Sequence, residues 1–193
     1  MITNSIAPDL TSLSPLAGLN EITEGYLQLA RMPRPKIQAC DLNTLVTDFI
    51  AMSRPEFKNN QVELVLRLAS ESPLTQSDPG QVRQALLNVV RNSMEAMPDG
   101  GKIFVETSVT DTKSIIIIAD QGPGIPEAEI HRVFEPFYST KSSGTGLGLS
   151  LTQQILADHG GRIDIEANPS QGTKVSLLLP RLTEGPNEQK STS

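Results

Sequence analysis

The chain has 193 residues, 37% of them hydrophobic, which is enough for one sizeable domain with a small appendage. A net charge of −6 offers no basic face for counterion release and argues against wholesale nucleic-acid binding. The single Cys40 excludes an internal disulfide and a cysteine cluster for zinc. The longest apolar run, Ile115 to Ala119, is too short to span a bilayer, and no basic region followed by a hydrophobic stretch opens the chain.

Residues 1–18 mix Pro8, Pro15 and Gly18 with Ser and Thr, and are expected to be loose. Leu19, Ile22, Tyr26 and Leu29 recur at spacings of three and four, the pattern of a helix with one sticky seam, which Pro33 and Pro35 end. Asp41 is placed to cap a second helix through Leu45, Val46, Phe49, Ile50 and Met52. Val62, Leu64, Leu66 and Leu68 alternate as in a strand. Asp78-Pro79 then opens a helix whose inner face carries Val82, Ala85, Leu86, Val89, Val90, Ser93 and Ala96, and Pro98-Asp99-Gly100-Gly101 stops it.

Lys102 to Val109 and Ser114 to Asp120 are predicted to form a hairpin. About twenty residues of flap separate Asp120-Gln121-Gly122-Pro123-Gly124 from Gly144-Thr145-Gly146-Leu147-Gly148-Leu149. The second glycine run enters a helix over Leu147 to Asp158, where unpaired N–H groups and a positive dipole suit phosphate oxygens. A second hairpin, Arg162 to Ala167 and Thr173 to Leu179, crosses the Asn168 to Gly172 turn, and 181–193 is a polar tail. This order predicts an α+β, two-layer α/β sandwich with the helices on one face of a mixed sheet.

Four elements thus stand in fixed order: Asn88 and Asn92 one turn apart, Asp120-x-Gly122-x-Gly124 at a strand end, the Gly144 to Leu149 loop, and Gly172-Thr173 before the last strand. With Phe134-Glu135-Pro136-Phe137-Tyr138 between the second and third, they resemble the ATP-binding domain of sensor histidine kinases, within the gyrase, Hsp90, kinase and MutL superfamily. Asn92-Ser93-Met94-Glu95-Ala96 and Phe137-Tyr138-Ser139-Thr140-Lys141 are similar to the nitrogen-regulation branch. The resemblance implies a Bergerat ATP-binding fold over residues 41–180, preceded by a partial dimerisation helix and linker at 19–40.

It also implies roles for single residues. Asn92 would hold Mg²⁺ through its amide oxygen, a hard neutral ligand, and Asn88 would reach the phosphates or the same metal shell. Asp120 would accept from the adenine amine, because a carboxylate at that depth needs a partner; an Asx-type turn before glycine is the plainer alternative. Gly122 and Gly124 would let the backbone approach the purine, and Thr173 would add a hydroxyl nearby. Lys141 would meet the γ-phosphate from the flap, beside Ser142 and Ser143. Gly144, Thr145, Gly146, Leu147 and Gly148 would cradle the phosphates. Phe134, Phe137 and Tyr138 would anchor one end of the flap in the core, and Arg91 would face a phosphate, a partner domain or only solvent.

Hydrolytic members of that superfamily carry a glutamate general base one turn before the metal-binding asparagine, where this chain has Asn88. An amide there favours phosphoryl transfer over hydrolysis. The only histidines are His131 and His159, neither in an acceptor motif, and His159 before Gly160-Gly161 suits a structural role at a helix end. The resemblance therefore implies an ATP- and Mg²⁺-dependent kinase domain that needs a histidine on a dimerisation domain outside this chain, a response regulator, and a homodimer in the full-length protein. It also implies a cytoplasmic location, including that of the cytoplasmic portion of a membrane-bound sensor. A non-catalytic ATP-binding or regulator-docking module and a serine kinase that controls a sigma factor are the alternatives on the same fold.

Overall fold

A computed structural model describes residues 32–139, 145–168 and 171–183. The segments expected at 1–18 and 19–31 and the tail from 184 lie outside the described residues. Seven strands and three α-helices among the described residues frame the site. Strand β1 (Gln38–Asp41) leads into α1 (Leu42–Asn59), β2 (Val62–Arg67), β3 (Leu74–Ser77) and α2 (Pro79–Glu95). The hairpin β4 (Gly101–Val109) and β5 (Lys113–Asp120), helix α3 (Gly148–Asp158), and the hairpin β6 (Arg162–Ala167) and β7 (Thr173–Pro180) complete the fold.

Five strands form a mixed sheet in the order β2-β4-β5-β7-β6, with β2 and β4 parallel and the other pairs antiparallel. Alternation decides which side is buried: Ile103, Val105, Ile116, Ile118, Leu177 and Leu179 face inward, fully or almost fully buried. They meet Val46 of α1, Leu86 and Val89 of α2 and Ile155 and Leu156 of α3 in one core. Each such side chain contributes about 1.5–3 kcal/mol through burial. The opposite face, with Phe104, Ile115 and Ile117, is only half-buried, and no helix among the described residues covers it. The two-layer α+β sandwich expected from the element order is the observed architecture.

Helix α2 starts where its sequence says it should. Asp78 Oδ1 accepts from Gly80 N at 2.9 Å and Gln81 N at 3.3 Å, and Pro79 occupies the first turn. Such a cap stabilises the helix by about 1 kcal/mol. Asp41 caps α1 in the same way, accepting from Asn43 N at 2.8 Å.

Two boundaries differ from the expected ones. The domain is expected from residue 41, but β1 pairs antiparallel with β3 from Gln38 to Asp41, a two-stranded sheet made of short segments of mixed polarity. Just before β1, Lys36 N donates to Asp78 Oδ2 at 2.8 Å and Gln81 Nε2 donates to Pro33 O at 2.9 Å. At the other end, the tail expected from 181 starts later. Arg181 bridges to Thr75, and Leu182 N donates to Leu74 O at 2.8 Å.

A candidate nucleotide-binding site between α2 and the glycine loop

Between α2, the end of β5 and the start of α3 lies a cleft of about 570 Å³, a size suited to a small organic ligand. Asp120 stands at its floor, only 4% exposed as the last residue of β5. Its Oδ1 accepts from Gly122 N and Thr173 N, both at 3.0 Å, and its Oδ2 accepts from Ser93 Oγ at 3.0 Å. Asn168 Nδ2 donates to the Asp120 backbone carbonyl at 2.7 Å. A carboxylate offers about four acceptor sites, so three fixed donors orient it and leave one direction open to the cleft. The bond from Gly122 N is an Asx-type turn, so both roles weighed from the sequence are compatible in one side chain.

Sequence reasoning missed Ser93 and Asn168 as Asp120's supports. Ser93 falls on the inner face of its helix, and a hydroxyl among apolar neighbours is the signal of a polar partner opposite. Gly172 earns its place by close approach: at φ +94° it lies so near β5 that a Cβ would stand 2.2 Å from Asp120 O. Gly122 does not line the cleft; a Cβ there would meet Ala96 Cβ and Asp120 Oδ1, each at 3.2 Å, so packing against the end of α2 is its constraint. Gly124 and Thr173 do line it.

The other end of the cleft is made by Asn88, Arg91 and Asn92 on α2 facing Thr145, Gly146 and Gly148. Asn88 Nδ2 donates to Gly148 O at 3.2 Å and Thr152 Oγ1 at 3.4 Å, which turns its amide oxygen away from α3. Helix α3 begins at Gly148 with no side-chain cap, because its N-cap is Leu147. Leu147 itself is buried at 4% and does not line the cleft. Gly146, at φ +67°, accepts from Phe137 N at 3.1 Å, and a Cβ on it would stand 2.5 Å from Phe137 C. The glycine is therefore required by the backbone of residues 137–138, as well as by any ligand. Lys141, Ser142, Ser143 and Gly144 lie outside the described residues.

The aromatic stretch departs from expectation. Phe134 packs against the core, but Phe137 is 49% exposed, because its positive φ of 69° turns it out of the chain's inner face. Tyr138 is half-buried on the cleft wall with the Arg132 guanidinium 4.3 Å over its ring. Burial and the neighbouring Glu129 carboxylate push its phenol up, so it is a neutral donor at physiological pH.

The histidines separate as expected. His131 is exposed outside the cleft lining. His159 is buried; its Nε2 accepts from Asp78 N at 3.0 Å while Nδ1 faces Ile155 O at 2.6 Å, an arrangement that fixes the neutral Nδ1–H tautomer. Burial works against the Asp78 carboxylate, yet the backbone N–H donors of Lys36, Gln81 and Gly80 hold it below the usual range.

Among the described residues no three His, Cys, Asp or Glu side chains cluster to hold a metal. A cation here would rest on an asparagine amide, water and the ligand's own oxygens, a donor set that fits Mg²⁺. No helix among the described residues is long and apolar enough to cross a membrane.

Known proteins resemble this chain in sequence and fold. Residues 77–183 match the family described as histidine kinase-, DNA gyrase B-, and HSP90-like ATPase. Sporulation kinase D of Bacillus subtilis (strain 168) is 32% identical over 163 residues, 84% of this chain and 32% of that protein. Sensor histidine kinase ZraS of Escherichia coli (strain K12) is 31% identical over 162 residues, 84% of this chain and 35% of its own length. The chain thus spans about a third of the length of these relatives. The solved catalytic domain of histidine kinase ThkA superposes with a TM-score of 0.70 at 28% identity, covering 76% of this chain and 96% of that one. By the match over residues 77–183, together with the sheet order and the cleft, the chain belongs to the histidine kinase-, DNA gyrase B- and HSP90-like ATPase family, on the side of the sensor histidine kinases.

Proposed function

We propose that this chain is the ATP-binding catalytic portion of a two-component sensor histidine kinase, and that it passes the γ-phosphate of ATP to a histidine on a dimerisation domain. The observation that carries this reading is the convergence, in one cleft, of a buried oriented carboxylate, a pair of asparagines and the uncapped start of a glycine-led helix. Asp120 accepts from the adenine amine, and Thr173 and Gly124 stand beside it. Asn88, Asn92, Thr145, Gly146 and Gly148 meet the phosphates, with Lys141 approaching from the segment before them. Asn92 would hold Mg²⁺ through its amide oxygen, and the ion would supply charge neutralisation at the phosphate oxygens.

The chain's own groups then orient the triphosphate rather than activate water. The position one turn before Asn92 holds the Asn88 amide, whose nitrogen is committed to α3, so it cannot take a proton from a nucleophile. Positioning and electrostatics are what phosphoryl transfer needs most. The acceptor, the response regulator, the homodimer and the cytoplasmic setting belong to the full-length protein on this reading.

The test is incubation with γ-labelled Mg-ATP, with the chain alone and with a supplied histidine-bearing hairpin domain. Label on the supplied domain only is the expected result. Nucleotide binding without transfer to any such domain would replace this reading with a non-catalytic ATP-binding or docking module.

A further inference from the structure

We propose that Arg91 grips the terminal phosphate of a bound nucleoside triphosphate, and that Glu56 of α1 competes with that phosphate for the same guanidinium. The proposal rests on the nucleotide reading above and adds a residue and a regulatory contact to it. Arg91 lines the cleft and immediately precedes Asn92. At about 100° per helical residue, Arg91 and Ser93 stand on opposite sides of Asn92. Ser93 is bonded to Asp120, so Arg91 faces the end of the cleft farthest from the carboxylate.

Its guanidinium is only partly committed. Nε lies 3.1 Å from Glu56 Oε1, and the two Nη groups make no hydrogen bond among the described residues. The Arg91 side chain is 54% exposed and that of Glu56 35%. An ion pair this open is weak, and Glu56 sits in the last turn of α1, where the helix dipole disfavours a carboxylate. A phosphate offers the planar fork two oxygens at once and a larger negative charge. It can therefore draw Arg91 away from Glu56. Since α1 follows directly on β1, the contact also links the chain's entry into the domain to the phosphate end of the cleft.

Calorimetric titration of the full chain with Mg-ATP and with Mg-ADP tests this. Arg91→Gln is expected to lower the ratio of ATP to ADP affinity about tenfold, the scale of one lost charge-assisted contact. Glu56→Gln is expected to raise the same ratio about two- to fivefold, as removal of a weak exposed competitor should. The double variant should behave as Arg91→Gln alone. A salt bridge that only braces two helices would make both single variants worse to the same degree, and an arginine that docks a partner would leave the ratio unchanged in both; either result overturns the proposal. Failure of the wild-type chain to bind either nucleotide is a separate outcome that removes the nucleotide reading itself and this proposal with it.

Discussion

At one end of the cleft Asp120 is 4% exposed and carries three donors on its carboxylate; at the other, Arg91 is 54% exposed and carries one acceptor. The buried end is rigid because each of its polar groups would cost free energy if left unpaired, so β5, α2 and the Gly172 turn must meet at one geometry. The open end has no such constraint, and its side chains can exchange partners with little loss. On the proposed reading, such a site would recognise with its buried end and do chemistry with its open one.

If that contrast holds, substitutions at the two ends should separate activity from stability. Asn92→Asp should cut phosphate transfer about 100-fold, the scale on which one preorganised electrostatic contact acts, while the melting temperature hardly moves. Equal loss of stability and transfer would argue that Asn92 is a structural residue. Asp120→Ala should do both kinds of damage: nucleotide binding is abolished and stability falls by about 3 kcal/mol as three buried donors lose their acceptor. Wild-type ATP affinity in that variant would sink the adenine assignment.

Smaller effects grade the buried end further. Gly172→Ala, forced to hold φ +94° with its Cβ against the Asp120 carbonyl, should cost about 2–3 kcal/mol in a urea melt. Ser93→Ala removes one donor only and should cost about 1 kcal/mol, with ATP affinity weakened less than in Asp120→Ala. Least of all, the capping carboxylate of Asp78 should add an acid dependence. Its folded value is depressed, so its contribution is full above the unfolded carboxylate pKa of about 3.9 and is lost as pH falls through the lower folded value. Chemical denaturation at neutral pH and near pH 3 should differ more for the wild type than for Asp78→Asn; equal pH dependence would show that the cap is already satisfied without charge.

Much of this architecture was legible locally. Asp78-Pro79 marks the start of α2, and alternation marks β4 and β5, because caps and period-two burial are written in neighbouring residues. The β1 and β3 pair was not legible: two four-residue segments of mixed polarity, joined across 32 intervening positions at the Asp41 to Leu74 end of the register, carry no apolar alternation. The site divides in the same way. Asn88, Asn92 and Asp120 stand out by type and spacing, and the cleft brings them together. The contacts of Ser93 and Asn168 to Asp120 join residues 27 and 48 positions away, so only the fold reveals them. The exposure of Phe137 follows from its positive φ, which its hydrophobicity does not reveal.

The histidine at the end of α3 has a mechanical consequence. Helices α2 and α3 are fastened where Asp78 N meets His159 Nε2 and again where Asn88 meets Gly148, about ten residues or 15 Å along. A pair of rods pinned at two points cannot spread like tongs. The gap between them is therefore a fixed gauge, and a bulkier guest must be accommodated by the loops at 121–126 and 134–139 or be turned away. On the nucleotide reading, that gauge is set at the phosphate end, where Asn88 meets Gly148, while the base end is shaped by the Asp120 carboxylate and its donors.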